Sequence, residues 1–167
     1  NGVRFEVDLV HGQKTGHYLD QRQNRLSAAR WIADGSQVLD ICSYTGGFAC
    51  TIAAKRPLAH VTAVDGSQKA LQLAAKNAAL NGLNNVTCEQ NDFYKAMEQR
   101  LESKILLDAI VLDPPRMASA RSQVKRALAA YHRLNFLALK LLKPGGILVT
   151  CSCSGRVTHE DFRQMLL

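Results

Sequence analysis

Short stretches rich in apolar and β-branched residues alternate along most of the chain with longer stretches of helical periodicity. A continuous apolar run is typical of a parallel strand buried on both faces, and apolar positions three and four residues apart are typical of a helix packed on a core. The expected strands cover 38–42, 60–65, 86–90, 107–113 and 147–152, and the helices between them cover 47–55, 67–81, 93–102 and 122–142. This alternation predicts an α/β fold with a doubly wound, mostly parallel sheet and right-handed crossovers.

The first 35 residues precede this repeating pattern and show a different one. Apolar and polar residues alternate from Val3 to Leu9, which predicts a half-buried strand over 3–9. A helix is expected over 21–33, followed by a turn at Asp34-Gly35. We therefore expect one structural domain, in which residues 1–35 pack against a Rossmann-like core of residues 36–167.

Composition indicates a folded protein of a reducing compartment. Apolar residues make up 47% of the chain and charged residues 21%. No run of 18 apolar residues occurs and the first residues do not resemble a signal peptide, so a cytoplasmic location without a membrane partner is expected. The five cysteines form no Cys-x-x-Cys pair and have no histidine at ligand spacing, so neither a disulfide framework nor a metal site is expected.

Positive charge is concentrated in the last third of the chain. The 21 lysines and arginines exceed the 14 acidic residues, giving a formal net charge of +7, and no carboxylate occurs from 114 to 159. Such a one-sided field attracts polyanions, and nucleic acid is the commonest polyanion of a cytoplasm. Nucleic acid is therefore the expected partner, and the alternative is a solvated helix face balanced by acids from elsewhere in the fold.

The loop after the first strand and the ends of the next strands carry candidate binding groups. Gly46-Gly47 permits close approach of a ligand to the backbone, but neither a Gly-x-Gly-x-x-Gly nor a P-loop sequence is present. Asp65 lies 18 residues (65 − 47) after Gly47, near the offset at which an acid binds ribose hydroxyls. Carboxylates in or just after successive strands are Asp40, Asp65, Asp92 and Asp113. A ribose-binding acid without a pyrophosphate loop favours S-adenosylmethionine as the cofactor.

The end of the last strand carries the candidate nucleophile. Carbon 5 of a pyrimidine is methylated only after a nucleophile adds to carbon 6, and a thiolate is suited to that covalent step. Cys153 lies nearer the strand exit than Cys151 and is the preferred nucleophile, while Cys151 is expected to pack inside. The prolines of Asp113-Pro114-Pro115-Arg116 fix the direction of Asp113, which is expected to hold the pyrimidine. Arg116 stands where amine methyltransferases usually carry a base-stacking aromatic residue, which disfavours that chemistry.

Four sequence blocks resemble those of one family, the class I S-adenosylmethionine-dependent 23S ribosomal RNA cytosine-5 methyltransferases, whose members usually carry an N-terminal PUA domain. The blocks begin at Lys14-Thr15-Gly16, Asp40-x-Cys42, Asp113-Pro114-Pro115 and Ser152-Cys153-Ser154. The resemblance spans essentially the whole chain. It implies S-adenosylmethionine as methyl donor, 23S ribosomal RNA as substrate, Cys153 as nucleophile and Asp113 as the base-binding acid.

The blocks also imply which residues surround the two ligands. Those expected to bind the cofactor are Lys14, Tyr18, Asp20, Asp40, Cys42, Ser43, Tyr44, Thr45, Gly46, Asp65, Gly66, Ser67, Asn91, Asp92, Phe93 and Asp113. Those expected to contact the RNA are Arg22, Arg25, Pro114, Arg116, Arg121 and Lys125.

Departures from the family pattern keep other interpretations open. The PUA domain, its linker and the last two strands of the usual seven-stranded sheet are absent, so a catalytic-domain fragment is expected. Arg116-Met117 differs from the residues that are common after Pro-Pro in the family, so a different base or a different position on the base is an open alternative. The alternatives are an RNA uracil-5 or guanine methyltransferase of the same fold, a non-catalytic RNA-binding module, and, more weakly, a small-molecule methyltransferase. The residues give no prediction of oligomeric state.

Overall fold

The structure of the protein is a computed structural model, and it describes residues 2–12 and 16–167. Its strands are β1 (Gln37–Ile41), β2 (His60–Asp65), β3 (Val86–Gln90), β4 (Leu107–Leu112) and β5 (Leu142–Thr150). Its helices are α1 (Arg22–Trp31), α2 (Gly47–Lys55), α3 (Gln68–Leu80), α4 (Phe93–Glu102), α5 (Val124–Leu141) and α6 (His159–Leu166). Single 3₁₀ turns at Leu19–Gln21 and Arg121–Gln123 lead into α1 and α5.

The strands form one sheet in the order β3-β2-β1-β4-β5, and every neighbouring pair is parallel. The chain moves outward from β1 to β3 and then returns to the other side of β1 with β4. In an open sheet of this kind, the loops that leave β1 and β4 diverge at their carboxyl ends and open a crevice for a ligand. The predicted α/β fold with five parallel strands is confirmed.

Apolar residues on both faces of the sheet explain why the strands read as continuous apolar runs. In β1, Val38 packs in the core cluster that contains Ile52 of α2, whereas Leu39 and Ile41 pack in the cluster that contains Leu134 of α5. Side chains alternate between the two faces of a strand, and both faces of β1 are covered by helices. The core therefore lies in two layers, one on each side of the sheet.

The prediction of an N-terminal strand over 3–9 is wrong, since residues 2–7 have no regular secondary structure. The backbone of this segment is bonded to side chains of α3 instead of to another strand. Arg4 N–H donates to Asn81 Oδ1 (2.8 Å), and Asn81 Nδ2 donates to the Arg4 carbonyl (2.7 Å). Glu6 N–H donates to Asn77 Oδ1 (2.7 Å) in the same way. Two asparagines one helical turn apart thus satisfy the backbone groups that a neighbouring strand would satisfy.

Strand β5 begins five residues before its predicted start at 147, because Lys143-Pro144-Gly145-Gly146, a sequence typical of the end of a helix, itself lies within the strand. The register with β4 shifts between the pairs Leu107–Leu142 and Ala109–Ile147. Gly145 has a φ of +78°, and a Cβ at Gly146 would lie 2.9 Å from the Lys143 carbonyl oxygen. Two glycines at a strand irregularity are typical of a bulge, which lets pairing continue on both sides.

Replacing Asn77 with alanine is expected to lower the free energy of unfolding by about 2 kcal/mol. Asn77 is fully buried, and its amide also donates to the Thr45 carbonyl (3.0 Å), so the variant leaves buried backbone groups without partners. Urea denaturation measures the change. Asn84→Ala, on the exposed loop after α3, is the control and is expected to stay within about 0.5 kcal/mol of the parent protein. Equal losses in both variants would contradict the role of the asparagine.

Candidate active site

A cavity of about 580 Å³ opens at the carboxyl ends of the strands. Small-molecule and cofactor sites commonly have this size. The predicted site residues in its wall are Tyr18, Asp20, Arg25, Cys42, Ser43, Tyr44, Thr45, Asp65, Gly66, Ser67, Asn91, Asp92, Phe93, Asp113, Pro114, Arg116 and Cys153. The fold therefore gathers at one place residues that span most of the chain.

Some predicted residues lie elsewhere, and some wall residues were not predicted. Asp40, Gly46, Arg22, Arg121 and Lys125 are outside the wall, and Lys14 falls outside the described residues. The wall residues that were not among the predicted ligand contacts are His17, Gln21, Gly47, Phe48 and Pro115. Each of these lies within two residues of a predicted residue, so proximity to the motifs was the available signal.

The loop between β1 and α2 has an unusual backbone. Cys42 and Tyr44 have φ values of 61° and 49°, and Gly46 has a φ of 78°. Left-handed conformations at non-glycine residues cost energy and collect at ligand sites. The Asp65 carboxylate holds this loop, since Tyr44 N–H donates to its Oδ2 and Ser67 N–H to its Oδ1, each at 2.9 Å. Asp65 thus links the loops after β1 and β2 at the edge of the cavity.

Asp40 was predicted to bind the cofactor, but it lies behind the wall with no exposed surface. Ala49 N–H donates to its Oδ2 (2.9 Å), so the carboxyl holds the first turn of α2. Its Oδ1 has no hydrogen-bond partner among the described residues. Burial raises the pKa of Asp40 from 3.8 to about 8, and the nearby carboxylates Asp113 and Asp65 add to this rise. The carboxyl therefore supports the glycine loop from inside the core.

Arg25 was predicted to contact RNA, but only 6% of this residue is exposed. Its Nη2 donates to the Tyr18 carbonyl (2.9 Å), and a Cβ at Gly47 would lie 2.7 Å from its Nη1. Burial lowers the pKa of Arg25, and the carboxylates of Asp113, Asp20 and Asp40 act in the opposite direction. The guanidinium is thus a packed part of the cavity wall, and a glycine at position 47 leaves room for it.

Asn91 and Asp92, both predicted to bind the cofactor, already have partners within the protein. Asp92 caps α4, since Tyr94 N–H and Lys95 N–H both donate to its Oδ1, at 2.9 and 3.0 Å. Asn91 Nδ2 donates to Glu89 Oε1 (3.0 Å) and Gln99 Oε1 (2.9 Å). Both residues line the cavity, and their side-chain orientation is fixed by these bonds.

The two predicted catalytic residues follow neighbouring strands and face the same cavity. Cys153 Sγ lies 3.5 Å from the Pro114 carbonyl oxygen, and Gln21 Nε2 donates to Asp113 Oδ1 (3.3 Å). Cys151, in contrast, is outside the wall and packs against the core cluster that contains Val38. Burial raises the pKa of Cys151 to about 12, with the Asp113 charge adding to the rise. Of the two cysteines at this strand end, only Cys153 lines the cavity.

The basic residues from 114 to 159 divide into paired and unpaired groups. Arg133 pairs with Glu98 (2.9 Å) and Lys143 with Asp108 (2.8 Å), so acids from other elements balance part of the charge. In the described ranges no carboxylate forms an ion pair with the exposed residues Arg116, Arg121 or Lys125. Part of the uncompensated charge therefore lies near the cavity rim and the first turn of α5.

Residues 2–12 and 16–167 contain neither a membrane-spanning helix nor a metal centre. None of the helices there combines the length and apolar character needed to span a bilayer. No group of three or more His, Cys, Asp or Glu side chains there is arranged to hold a metal ion.

A doubly wound parallel sheet with an acid-lined cavity at its switch point defines a Rossmann-like fold of the class I methyltransferase type. Residues 32–166 match a family model described as a methyltransferase domain, which covers more than half of the chain. The chain therefore belongs to the methyltransferase-domain family, in which S-adenosylmethionine is the methyl donor.

Curated relatives match almost the whole chain. Ribosomal RNA large subunit methyltransferase I of Klebsiella pneumoniae (strain 342) is 42% identical over 168 residues, covering 99% of this chain and 42% of that protein. The protein of the same name from Shewanella denitrificans is 44% identical over 168 residues, with the same coverage of 99% and 42%. The chain thus spans about two fifths of the length of these relatives.

Solved structures share the fold at similar coverage. A protein of Streptococcus mutans designated a SAM-dependent methyltransferase aligns with a TM-score of 0.86 at 26% identity, covering 99% of this chain and 43% of that one. A second structure, designated a methyltransferase and complexed with S-adenosylhomocysteine, also gives a TM-score of 0.86 at 26% identity, covering 99% and 44%. The likeness extends over all the elements described above.

The Asp40 carboxyl is expected to make stability depend on pH. Between pH 3.8 and about 8 the folded state keeps the proton on Asp40 and the unfolded state releases it, so the free energy of unfolding falls as pH rises through this window. Asp40→Asn removes the titration. The free energy of unfolding of the variant minus that of the parent should therefore increase with pH, measured by urea denaturation at several pH values across the window. Parallel pH curves for the two proteins would show that Asp40 ionises normally.

Proposed function

We propose that this chain is the catalytic domain of an S-adenosylmethionine-dependent RNA methyltransferase that forms 5-methylcytosine in 23S ribosomal RNA. The single observation that carries the proposal is the position of Cys153. Its Sγ lies beside Pro114 and faces the cavity that Asp113 and Asp65 also line. A guanine amine methyltransferase needs no thiol at this place, whereas pyrimidine carbon-5 chemistry does.

The described residues fit the cofactor. The Ser43 Oγ is buried in the cavity wall without a hydrogen-bond partner among the described residues, and the N-cap residue of α2, Gly46, has no side chain to cap the helix. A helix N-terminus favours a carboxylate, so Ser43, Thr45 and Gly47 would hold the amino-acid end. Asp65 would accept hydrogen bonds from the ribose, and Asp92 and Phe93 would lie against the adenine. Bound there, S-adenosylmethionine supplies an electrophilic methyl group to carbon 5 of the substrate base.

Cys153 and Asp113 then divide the chemistry on the pyrimidine. The Cys153 thiolate forms a bond to carbon 6, and the electron pair of the double bond moves to carbon 5. A protonated Asp113 carboxyl donates to ring nitrogen 3 and accepts from the exocyclic amine, which favours the addition. Carbon 5 would take the methyl group with this electron pair as the bond between that group and the donor sulfur breaks, which leaves S-adenosylhomocysteine. When the carbon-5 proton then leaves to solvent, the bond between carbon 6 and the Cys153 sulfur breaks, and the aromatic ring and the thiolate are restored.

The rim of the cavity fits an RNA substrate. Arg116 is exposed in the wall itself, and Arg121 and Lys125 are exposed on the segment that leads from there into α5. Exposed cations without protein partners bind backbone phosphates, which position an RNA strand without reading its sequence. Arg22 is exposed at the start of α1, on the segment that also carries Gln21 of the wall. Arg25 is assigned to the wall and not to the RNA surface because it is buried.

The curated relatives support this substrate class, because their names refer to large-subunit ribosomal RNA. The same comparison supports a larger whole protein, of which residues 1–35 and the core of residues 36–167 form the catalytic part. The segment from Gly2 to Gly12 packs on α3 and α1 packs on α2, so both belong to the same folded unit in this proposal.

Replacing Cys153 with alanine is expected to reduce methyl transfer to unmodified 23S ribosomal RNA by at least about 10³-fold, since the covalent step no longer has its nucleophile. Incorporation of labelled methyl groups, followed by mass analysis of the nucleosides, measures both the rate and the identity of the product. Calorimetry with S-adenosylhomocysteine should show unchanged binding, because the thiol is not assigned to the cofactor.

Cys151→Ala is the matched control, since it removes a thiol two residues away that packs in the core. Its rate is expected to stay within about threefold of the parent protein. Full activity in Cys153→Ala would refute the nucleophile, and a 5-methyluridine product would move the proposal to uracil. Failure of the folded parent protein to bind S-adenosylhomocysteine would favour a non-catalytic RNA-binding module.

Replacing Arg116 or Lys125 with alanine is expected to weaken RNA binding and to reduce the slope of log affinity against log salt by about 1 for each phosphate that the variant no longer neutralises. Filter binding with a fragment of ribosomal RNA over a range of salt concentrations gives the slope. Lys55→Ala, exposed at the C-terminal end of α2, is the control because this end of the helix lies at the edge of the sheet opposite the cavity. The same slope in all variants would exclude the proposed role of the rim.

A further inference from the structure

Two loops that leave neighbouring strands carry the groups assigned to chemistry. Asp113 follows β4 directly, and Cys153 lies three residues after β5. Cys151 N–H donates to the Leu112 carbonyl (2.8 Å). The segments that leave β4 and β5 therefore still lie side by side just beyond the end of β5. Cys153 Sγ lies 3.5 Å from the Pro114 carbonyl oxygen of the other loop. The position of the thiol therefore depends on how these two loops are held together.

Three hydroxyl groups, here called the hydroxyl clamp, join both loops to helix α5. They belong to Tyr131, Ser152 and Ser154. Tyr131 Oη lies 3.0 Å from Ser154 Oγ and accepts a hydrogen bond from Ser152 Oγ at 3.1 Å. Tyr131 has no exposed surface and Ser154 is 3% exposed, so the bond between them is shielded from water. Hydrogen bonds in such an interior are costly to leave unmade.

Ser154 Oγ is the atom through which the clamp holds the loop after β4. It accepts hydrogen bonds from Met117 N–H (2.9 Å) and Ala118 N–H (3.1 Å). Its hydroxyl also shares a hydrogen bond with Tyr131 Oη (3.0 Å), in which either oxygen can be the donor. One serine thus connects the loop after β4, the loop after β5 and α5.

The two serines of the clamp flank Cys153 in the sequence. Alternate side chains of an extended chain point to opposite sides. Ser154 is buried against Tyr131 and outside the cavity wall, whereas Cys153 lies in the wall. The hydroxyls thus hold the backbone on one side, and this leaves the thiol on the other side, toward the cavity.

We infer that the hydroxyl clamp positions Cys153 Sγ against Asp113 for the attack on the substrate base. This inference rests on the proposed function, because it takes Cys153 as the nucleophile. Tyr131, Ser152 and Ser154 are positioning residues, since none of them lines the cavity. A displaced nucleophile lowers the rate of the chemical step and leaves the binding of the cofactor unchanged.

Tyr131→Phe is the test variant, because it keeps the ring that packs edge-on against Phe162 and removes only the hydroxyl. Its kcat for methyl transfer is expected to fall about 10- to 100-fold, with an unchanged KM for S-adenosylmethionine. The rate at which iodoacetamide alkylates Cys153, resolved from the other cysteines by peptide mass spectrometry, is expected to change by about threefold or more. The alkylation is measured on the free protein and needs neither RNA nor cofactor.

Tyr94→Phe is the matched control. The Tyr94 hydroxyl donates to the Ala130 carbonyl (3.2 Å), so this variant also removes a tyrosine hydrogen bond to α5 but touches neither loop. It is expected to keep the parent kcat and the parent alkylation rate. If Tyr131→Phe fails to fold, Ser152→Ala replaces it, because Ser152 is exposed and its replacement removes one bond of the clamp.

The outcomes separate the clamp from the proposed function. A changed alkylation rate together with a lower kcat supports the clamp. If Tyr131→Phe has the same alkylation rate as Tyr94→Phe, the clamp is overturned, because the thiol is then held in place without the hydroxyl. If Tyr131→Phe has the same kcat as Tyr94→Phe, the clamp is also overturned, because a displaced thiol would slow catalysis. If the parent protein itself transfers no methyl group, the proposed function fails, and the alkylation rate alone decides whether the hydroxyls hold Cys153 in place.

Discussion

Parallel pairing of β1 with both β2 and β4 is the constraint on which the rest of the structure depends. All strands then end at the same edge of the sheet, and the loops that leave β1 and β4 must turn in opposite directions around a crevice. The backbone arrangement alone therefore produces the crevice. Asp65 is the last residue of β2, and Asp113 and Cys153 follow β4 and β5, yet all three line one cavity because the strand ends meet there.

Buried polar groups then fix the shape of this cavity. Asp40 holds the first turn of α2 from inside the core, Arg25 packs against Gly47, and Asp65 ties the loop after β1 to the loop after β2. Such groups are expensive to bury, but they hold backbone in conformations that apolar packing alone does not favour. The left-handed residues Cys42 and Tyr44 depend on this support. The cavity is therefore largely preorganised by polar residues in its wall and directly behind it.

The residues of the proposed chemistry also divide into those that line the cavity and those that support its wall. Cys151 and Cys153 share a strand end, but only Cys153 lies in the cavity, while Cys151 is packed in the core with a raised pKa. The hydroxyl clamp links this strand end to α5, the helix whose first turns also carry the exposed cations near the rim. Helix α5 thus connects the region proposed to bind RNA with the loop that carries the proposed nucleophile.

Local sequence determined the elements themselves. The apolar runs and helical spacings predicted every strand of the sheet and the helices between them, because strands covered on both faces require continuous apolar residues. The acids at strand ends and the glycine loop also indicated where a ligand binds, since parallel strands place those ends together. Most of the predicted site residues from Tyr18 to Cys153 accordingly line one cavity.

Only the tertiary structure decided which side chains face that cavity and which support it. The alternation from Val3 to Leu9 predicted a strand, but the side chains of Asn77 and Asn81 bond the segment instead, and no local pattern shows this. The motifs predicted Asp40 and Arg25 as ligand contacts, yet both residues are buried in the fold. Their burial could not be predicted because it depends on elements that are distant in sequence. Tyr131 reads as an ordinary core position of α5, and its hydroxyl meets Ser152 and Ser154 only when the helix packs beside the end of β5.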